Sequence, residues 1–328
     1  MSASGRMVWF NGSLIPESEA KVSIYDSALM FGDVVFEMTR SFKKKQFKLR
    51  EHLERLYAGI KILHIPLTMP IEEMEKHVYE TIEANDPLFA ADDEHRIMID
   101  ITRGLLSLYE GIEDLRKGPN VIIADFPLRW TVASMGHLFD SGINAVIPSQ
   151  RAIPAYLLDP KVKNRSRIHY LTANIEVSGY SGQDNWALLL DPDGFVAEGT
   201  GDNFFIIKNK IVITPEGRNI LRGISRDYIF ELCRQLKLTC IEKNITPYDV
   251  YTADEAFMTG TPFCMLPVTT LNGSVIGSGT PGRLFEKILK KWSRNVGLDV
   301  KAQIQKYSAQ AAGAGDTSQA ASPYRFKR

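Results

Sequence analysis

The chain has 328 residues, with 39 Lys+Arg against 39 Asp+Glu, so its formal net charge is zero. That balance leaves no basic surplus for nucleic acid or an anionic membrane, and no apolar run approaches the ~18 residues of a membrane span. Apolar residues at 44% and charged residues at 24% are ordinary for a soluble globular protein, and the length is enough for one large core or two smaller ones.

Read in order, Met7–Phe10, the turn dipeptide Asn11-Gly12 and Ser13–Pro16 predict a β-hairpin. Residues 34–42 predict a strand, turned at Lys43-Lys44-Lys45 (a solvated hairpin tip) into 46–49. Leu53, Leu56, Ile60 and Leu63 at helical spacing predict a helix over 50–64, and Pro70 opens a second over 71–85. Strands at 96–102 and 120–126 complete an antiparallel sheet, so residues 1–126 should form a small α+β domain. Residues 127–158, with scattered glycine and proline and a weak strand at 144–147, are expected to cross to a larger domain over 159–308. That domain should hold a helix near 166–178, strands at 186–190 and 203–207, a hairpin turning at Asn209-Lys210, and helices over 225–236 and 282–296. Residues 309–328, rich in Ala, Gly, Ser and Gln without periodicity, are expected to be disordered.

Three cysteines, Cys233, Cys240 and Cys264, show no CxxC or metal spacing, which fits a reducing compartment. The first twelve residues do not read as a secretory leader, so a cytoplasmic location is expected. The histidines show no zinc spacing, so no metal is expected, and there is no GxSxG elbow or Walker lysine. Gly277-Ser278-Gly279-Thr280-Pro281-Gly282 matches GxGxxG, but carries a proline and lies too near the end for a βαβ unit; it reads as a turn and helix start.

Chemistry concentrates in the second half. Lys163, in Asp159-Pro160-Lys161-Val162-Lys163-Asn164-Arg165-Ser166-Arg167, sits just ahead of a helix with two arginines beside it. Positive neighbours and burial favour the neutral, nucleophilic amine. Lys161 would project to the opposite face of an extended segment. Glu198 ends a short strand among glycines that let a ligand approach, and could pair with a protonated ring nitrogen. Gly223-Ile224-Ser225 opens a helix, a ready anion site; Thr261 adds a hydroxyl and Arg50 a permanent charge. Each has a plainer reading as a surface lysine, a turn glutamate or an N-cap serine. Together they supply an amine, a carboxylate and two phosphate cradles, the needs of pyridoxal phosphate.

These segments occur in the order WFNG (9–12), FGDVVFEMTR (31–40), FKLREHLERL (47–56), the lysine stretch, VAEGTGDNFF (196–205), ILRGISRD (220–227), ADEAFMTGTPF (253–263) and LPV (266–268). That series resembles the class IV, or fold-type IV, aminotransferases over roughly residues 7–300. The resemblance implies a two-domain α/β fold with pyridoxal 5'-phosphate in the interdomain cleft, and a homodimer. It implies that Lys163 carries the Schiff base, Glu198 meets the pyridine nitrogen and Leu221 packs on the ring. Arg50, Gly223, Ile224, Ser225 and Thr261 would bind the phosphate end. Substrate contacts would come from Phe31, Phe36, Arg40, Arg96, Thr261 and Pro262, with Arg165 and Arg167 either binding a substrate carboxylate or tying the helix to backbone carbonyls.

The implied reaction moves an amino group from an α-amino acid to an α-keto acid such as 2-oxoglutarate. VFEMTR looks like the branched-chain, L-selective group, although Phe31 stands where that group has tyrosine. Arg96 matches an arginine of that group, and Glu94 replaces a tyrosine two residues before it. Ile101-Thr102-Arg103-Gly104 looks more like the D-amino acid enzymes, but the Arg-x-His that follows there is missing. D-amino acid transamination is therefore the second expectation, with (R)-amine transamination or aminodeoxychorismate lyase action after it. A catalytically silent binding module is the non-enzyme alternative.

Overall fold

The computed structural model describes residues 5–313. They form two units: one runs through Leu128 and takes in Val162–Arg167, and the other comprises Arg129–Lys161 and the chain from Ile168.

The first unit is built on a five-stranded antiparallel sheet in the order Ser13–Pro16, Met7–Phe10, Asn120–Pro127, His95–Thr102, Val34–Met38. Helices Leu49–Ile62 and Ile71–Asn85 cover one face, where Leu53, Leu56, Ile60, Met74 and Val78 meet Val35, Ile97, Ile99, Ile101 and Ile123. Side chains alternate along a strand, so the opposite face carries Phe36, Met38, Arg96, Met98 and Asp100. Phe36 lies across from Asp100 and Met38 across from Met98, and Met98 and Asp100 are only half-buried.

Val162–Arg167 does not fall with the second unit, as its place within 159–308 suggested. It lies along the outer edge of Val34–Met38, where the Phe36 amide donates to the Lys163 carbonyl at 2.9 Å and the Arg165 amide to the Val34 carbonyl at 3.0 Å. The physical reason is that an edge strand has unpaired backbone groups to satisfy. Val162 then joins the helix-side core, and alternation turns Lys163 to the other face.

The lysine hairpin pairs Ser41–Phe42 with Lys45–Gln46, its tip held by Lys43 and Lys44 at φ 52° and 66°. Buried Glu94 accepts the Lys43 amide at 2.7 Å and the Lys44 amide at 3.0 Å. The glutamate that stands where a substrate-side tyrosine was expected thus braces this turn.

The second unit contains a nine-stranded mixed sheet. Its central path runs Val196–Gly199, Asn185–Leu190, Ile143–Val146, Cys264–Leu271, Glu255–Gly260, Asn203–Lys208. A further pairing, Glu198 with Asn203, joins the first and last of these six strands into a closed ring. Helix Arg283–Val296 buries Phe285, Ile288, Leu289 and Trp292 at i, i+3, i+4, i+7. Gly277–Gly282 is the turn leading into it, and the Glu255 carboxylate accepts the Leu284 and Phe285 amides at 3.0 and 2.8 Å. Helix Val300–Gly313 corrects part of the expected disordered tail, because Ile304 and Tyr307 are buried and alanine and glutamine propagate a helix well. The rest of that tail, residues 314–328, lies outside the described residues. Among the described residues no helix is long and apolar enough to cross a membrane.

Candidate active site

On the open face of the first sheet, Lys163 Nζ lies 4.7 Å from the centroid of the Phe36 ring. Arg165 Cζ lies 3.7 Å and Arg167 Cζ 5.7 Å from the same centroid. Residues 163, 165 and 167 thus share one face of the edge segment, with buried Phe36 as their common floor. Arg165 does not tie the helix to carbonyls: its Nε and Nη2 donate to Asp100 at 2.8 and 3.2 Å. Lys161 instead pairs with Asp159 at 2.9 Å. The segment is fixed at its middle by Ser166, whose hydroxyl donates to the Phe31 carbonyl at 2.8 Å. Gly32, at φ 66°, must remain glycine there, since a Cβ would stand 2.7 Å from that hydroxyl. Phe31 approaches only through its backbone, and its ring is exposed.

Further along the same face, Arg96 is 8% exposed, yet its Nε and Nη1 have no hydrogen-bond partner among the described residues. Its Nη2 reaches only the Met38 sulfur at 3.6 Å. Burial, helped by the nearby Arg40 charge, lowers its pKa to about 9, so it remains a cation at neutral pH. Arg40 donates to the Ser41 carbonyl at 3.1 Å and lies 3.9 Å over the Phe42 ring.

Arg50 is not placed for the phosphate role expected of it. It is exposed on the outer flank of Leu49–Ile62 and ion-pairs with Glu72 at 2.9 Å and Glu54 at 3.4 Å. The arginine of that helix turned to the sheet is Arg55, which grips fully buried Glu37 at 2.6 and 2.8 Å, while His52 Nδ1 meets the same carboxylate at 2.8 Å. Burial would raise the Glu37 pKa, but Arg55 and His52 outweigh it and hold the group well below the usual carboxylate range. Burial pushes His52 down, so it is neutral in the fold.

In the second unit Glu198 is nearly buried and accepts three hydrogen bonds: the Tyr170 hydroxyl at 2.8 Å, the Asn203 amide at 3.0 Å and the Leu221 backbone N–H at 3.1 Å. The Asn203 amide also donates to the Leu221 carbonyl at 2.9 Å. Sheet closure thereby ties the acid to the turn that opens helix Ile224–Gln235. Thr259, opposite Asn203 in register, adds a buried hydroxyl with no partner among the described residues. Thr261 and Pro262 sit in the turn between strands Glu255–Gly260 and Cys264–Leu271, half-buried.

Pyridoxal phosphate fits what these residues offer. No side chain caps helix Ile224–Gln235 at Gly223, which leaves first-turn amides for an anion, and Ser225 stands in that turn. A Cβ on Gly223 would fall 2.1 Å from the Asn203 side-chain oxygen, so the approach of backbone to Asn203 is closed to any other residue. The orphaned Thr259 hydroxyl and the thrice-bonded Glu198 complete a set with one anion-binding end and one anionic end. Sequence reasoning missed Tyr170, Asn203, Thr259 and Asp100. Asn203 and Thr259 lay inside quoted motifs, and the short glycine turn after Glu198 brings Asn203 back across from it; Tyr170 and Asp100 carried no local signal.

Comparison with known proteins agrees. A family model described as amino-transferase class IV matches residues 34–271. A Methanocaldococcus jannaschii protein bearing the provisional name branched-chain-amino-acid aminotransferase is 36% identical over 287 residues, covering 87% of this chain and 94% of its own. The Thermoproteus uzoniensis branched-chain aminotransferase solved with norvaline superposes with a TM-score of 0.76 at 29% identity, over 93% of this chain and 97% of that one. The Thermobaculum terrenum branched-chain amino acid aminotransferase, solved in its pyridoxal phosphate form, gives a TM-score of 0.75 at 25% identity with the same coverages. With a matched family model spanning most of the chain, the protein belongs to the class IV aminotransferases, the fold-type IV transaminases that use pyridoxal phosphate.

Proposed function

We propose that the enzyme exchanges amino groups between branched-chain L-amino acids and a dicarboxylic keto acid of the 2-oxoglutarate kind. The observation that carries this reading is the uncompensated Arg96 guanidinium on the open sheet face. Phe36, Met38 and Met98 form an apolar strip beside it, suited to an aliphatic side chain, and the buried cation suits the distal carboxylate of the acceptor. The names of the relatives support the same substrates. Bound pyridoxal phosphate supplies the carbonyl that captures the amine and the ring that takes up the electron pair released at the substrate α-carbon.

The side chains do the rest. Lys163 Nζ would hold the cofactor and move the proton at the substrate α-carbon. Glu198, kept as an acceptor by the Tyr170, Asn203 and Leu221 donors, would hold the ring N–H. Leu221 would lie against the ring; Gly223, Ile224, Ser225, Thr259 and Thr261 would receive the phosphate, with Arg55 taking the part first given to Arg50. A cytoplasmic location suits the three free thiols.

We also assign a homodimer. Ile24, Leu29, Met30, Phe31 and Leu108 are all exposed on the first unit, beside the Tyr25–Tyr109 ring contact at 4.9 Å. Such an apolar group suits burial against a second copy. Sedimentation is expected to give the mass of a dimer, and a monomer at working concentration would remove that assignment.

The substrate reading is tested with L-leucine and 2-oxoglutarate, which should yield glutamate. Arg96→Met should raise the KM for 2-oxoglutarate at least ~10-fold, the scale of one charged hydrogen bond, and change that for 4-methyl-2-oxopentanoate far less. Turnover of D-alanine but not L-leucine would put D-amino acid transamination in its place.

A further inference from the structure

We propose that Arg165, clamped by Asp100 onto Phe36, docks the α-carboxylate of the substrate whose amino group reacts at Lys163. This rests on the transaminase reading and names a residue that sets its substrate class. Arginine has five N–H donors. Asp100 takes those on one edge, through Nε and Nη2, and the other terminal nitrogen, Nη1, has no partner among the described residues. The Arg165 side chain is 34% exposed, against 15% for Asp100, so the unclaimed end is the one open to a ligand.

Orientation is over-determined. The guanidinium is held from the side by a carboxylate and from below by the ring, at 3.7 Å. A fork fixed in this way loses little freedom on gripping an anion. Lys163 Nζ stands on the same ring at 4.7 Å, so the separation of the two cations cannot exceed those two distances laid end to end. In an α-amino acid only the α-carbon separates amine from carboxyl carbon, which suits a site with the reacting amine at one cation and a docking fork at its neighbour.

Lys163, Arg165 and Arg167 all face Phe36, and Asp100 pairs with Arg165. The Thr261-Pro262 turn, the other element expected at the substrate, has no N–H to give at Pro262. A side-chain fork is the donor this chain has kept for a carboxylate.

The test pairs two ligands that share an aliphatic tail, 4-methylpentanoate and 4-methylpentanamide, titrated calorimetrically into the cofactor-loaded protein. Arg165→Met is expected to weaken the acid ~10- to 100-fold and the amide by much less. The ratio of kcat/KM for L-leucine to that for 3-methylbutylamine, which is leucine without its carboxylate, should fall at least ~10-fold. Asp100→Asn keeps the guanidinium and frees its orientation; it should weaken the acid several-fold, and it serves as the test if Arg165→Met fails to fold. Equal acid affinity in wild type and variants would overturn the proposal. A wild type that binds the acid through Arg165 but transaminates neither amine would instead count against the transaminase substrate reading.

Discussion

Replacing Lys163 with alanine is expected to lower kcat by at least ~10⁴-fold while leaving the fold intact. On the proposed reading two functions leave with the amine: covalent attachment of the cofactor and proton transfer at the α-carbon. The second alone is worth up to about 10⁴. The fold should survive because the segment is held by its backbone, through the Phe36–Lys163 and Arg165–Val34 hydrogen bonds. The cation over Phe36 is lost, about 1 kcal/mol. Borohydride reduction followed by peptide mass analysis reads the attachment directly. Wild type should carry the pyridoxyl mass on the peptide containing Lys163, and the variant should carry none. Label on Lys161, or full turnover by the variant, would move the catalytic assignment away from Lys163. Lys161→Ala is the matched control, because its ammonium is occupied with Asp159.

Local pattern made part of this legible. Alternation and helical stripes located most of the strands and helices, because each follows from which face its own residues bury. Lys163, Glu198 and Gly223–Ser225 stand out as candidates because each sits in a short stretch whose backbone demands (an edge segment, a glycine-flanked strand end, a helix start) are written in neighbouring residues. Arg50 shows where that ends. FKLREHLERL contains two arginines, and the buried stripe Leu49, His52, Leu53, Leu56 places Arg55 beside the sheet and Arg50 off it. The carboxylates that fix the contrast, Glu72 for one and Glu37 for the other, lie on other elements. Asp100 is 65 residues from Arg165, and nothing in either segment announces the other. The grouping of Val162–Arg167 with the first unit has the same cause: the edge it completes was laid down more than a hundred residues earlier. Pairings between distant segments decide these features, and a single sequence does not display them.

Glu37→Ala should be the most damaging change to stability, at about 3–5 kcal/mol, because it leaves the Arg55 charge and the His52 ring beside a buried void without their common acceptor. The pH dependence follows from the directions of the shifts. Glu37 has a folded pKa below its ordinary 4.5, so as pH falls the unfolded chain binds the proton first. Its contribution is therefore complete above that value and drains away as acid protonates the folded carboxylate. His52, ordinarily near 6.5, is also lowered. The unfolded chain gains its proton first there too, and stability starts to fall as pH drops through 6.5. Wild type should thus lose urea resistance gently below about pH 6.5 and steeply below about pH 4.5. The alanine variant, weaker throughout, should lack the steep limb. Parallel urea midpoints for the two proteins across that range would mean that Glu37 is not the group whose protonation opens the first unit, and that the cost of its removal comes from the void alone.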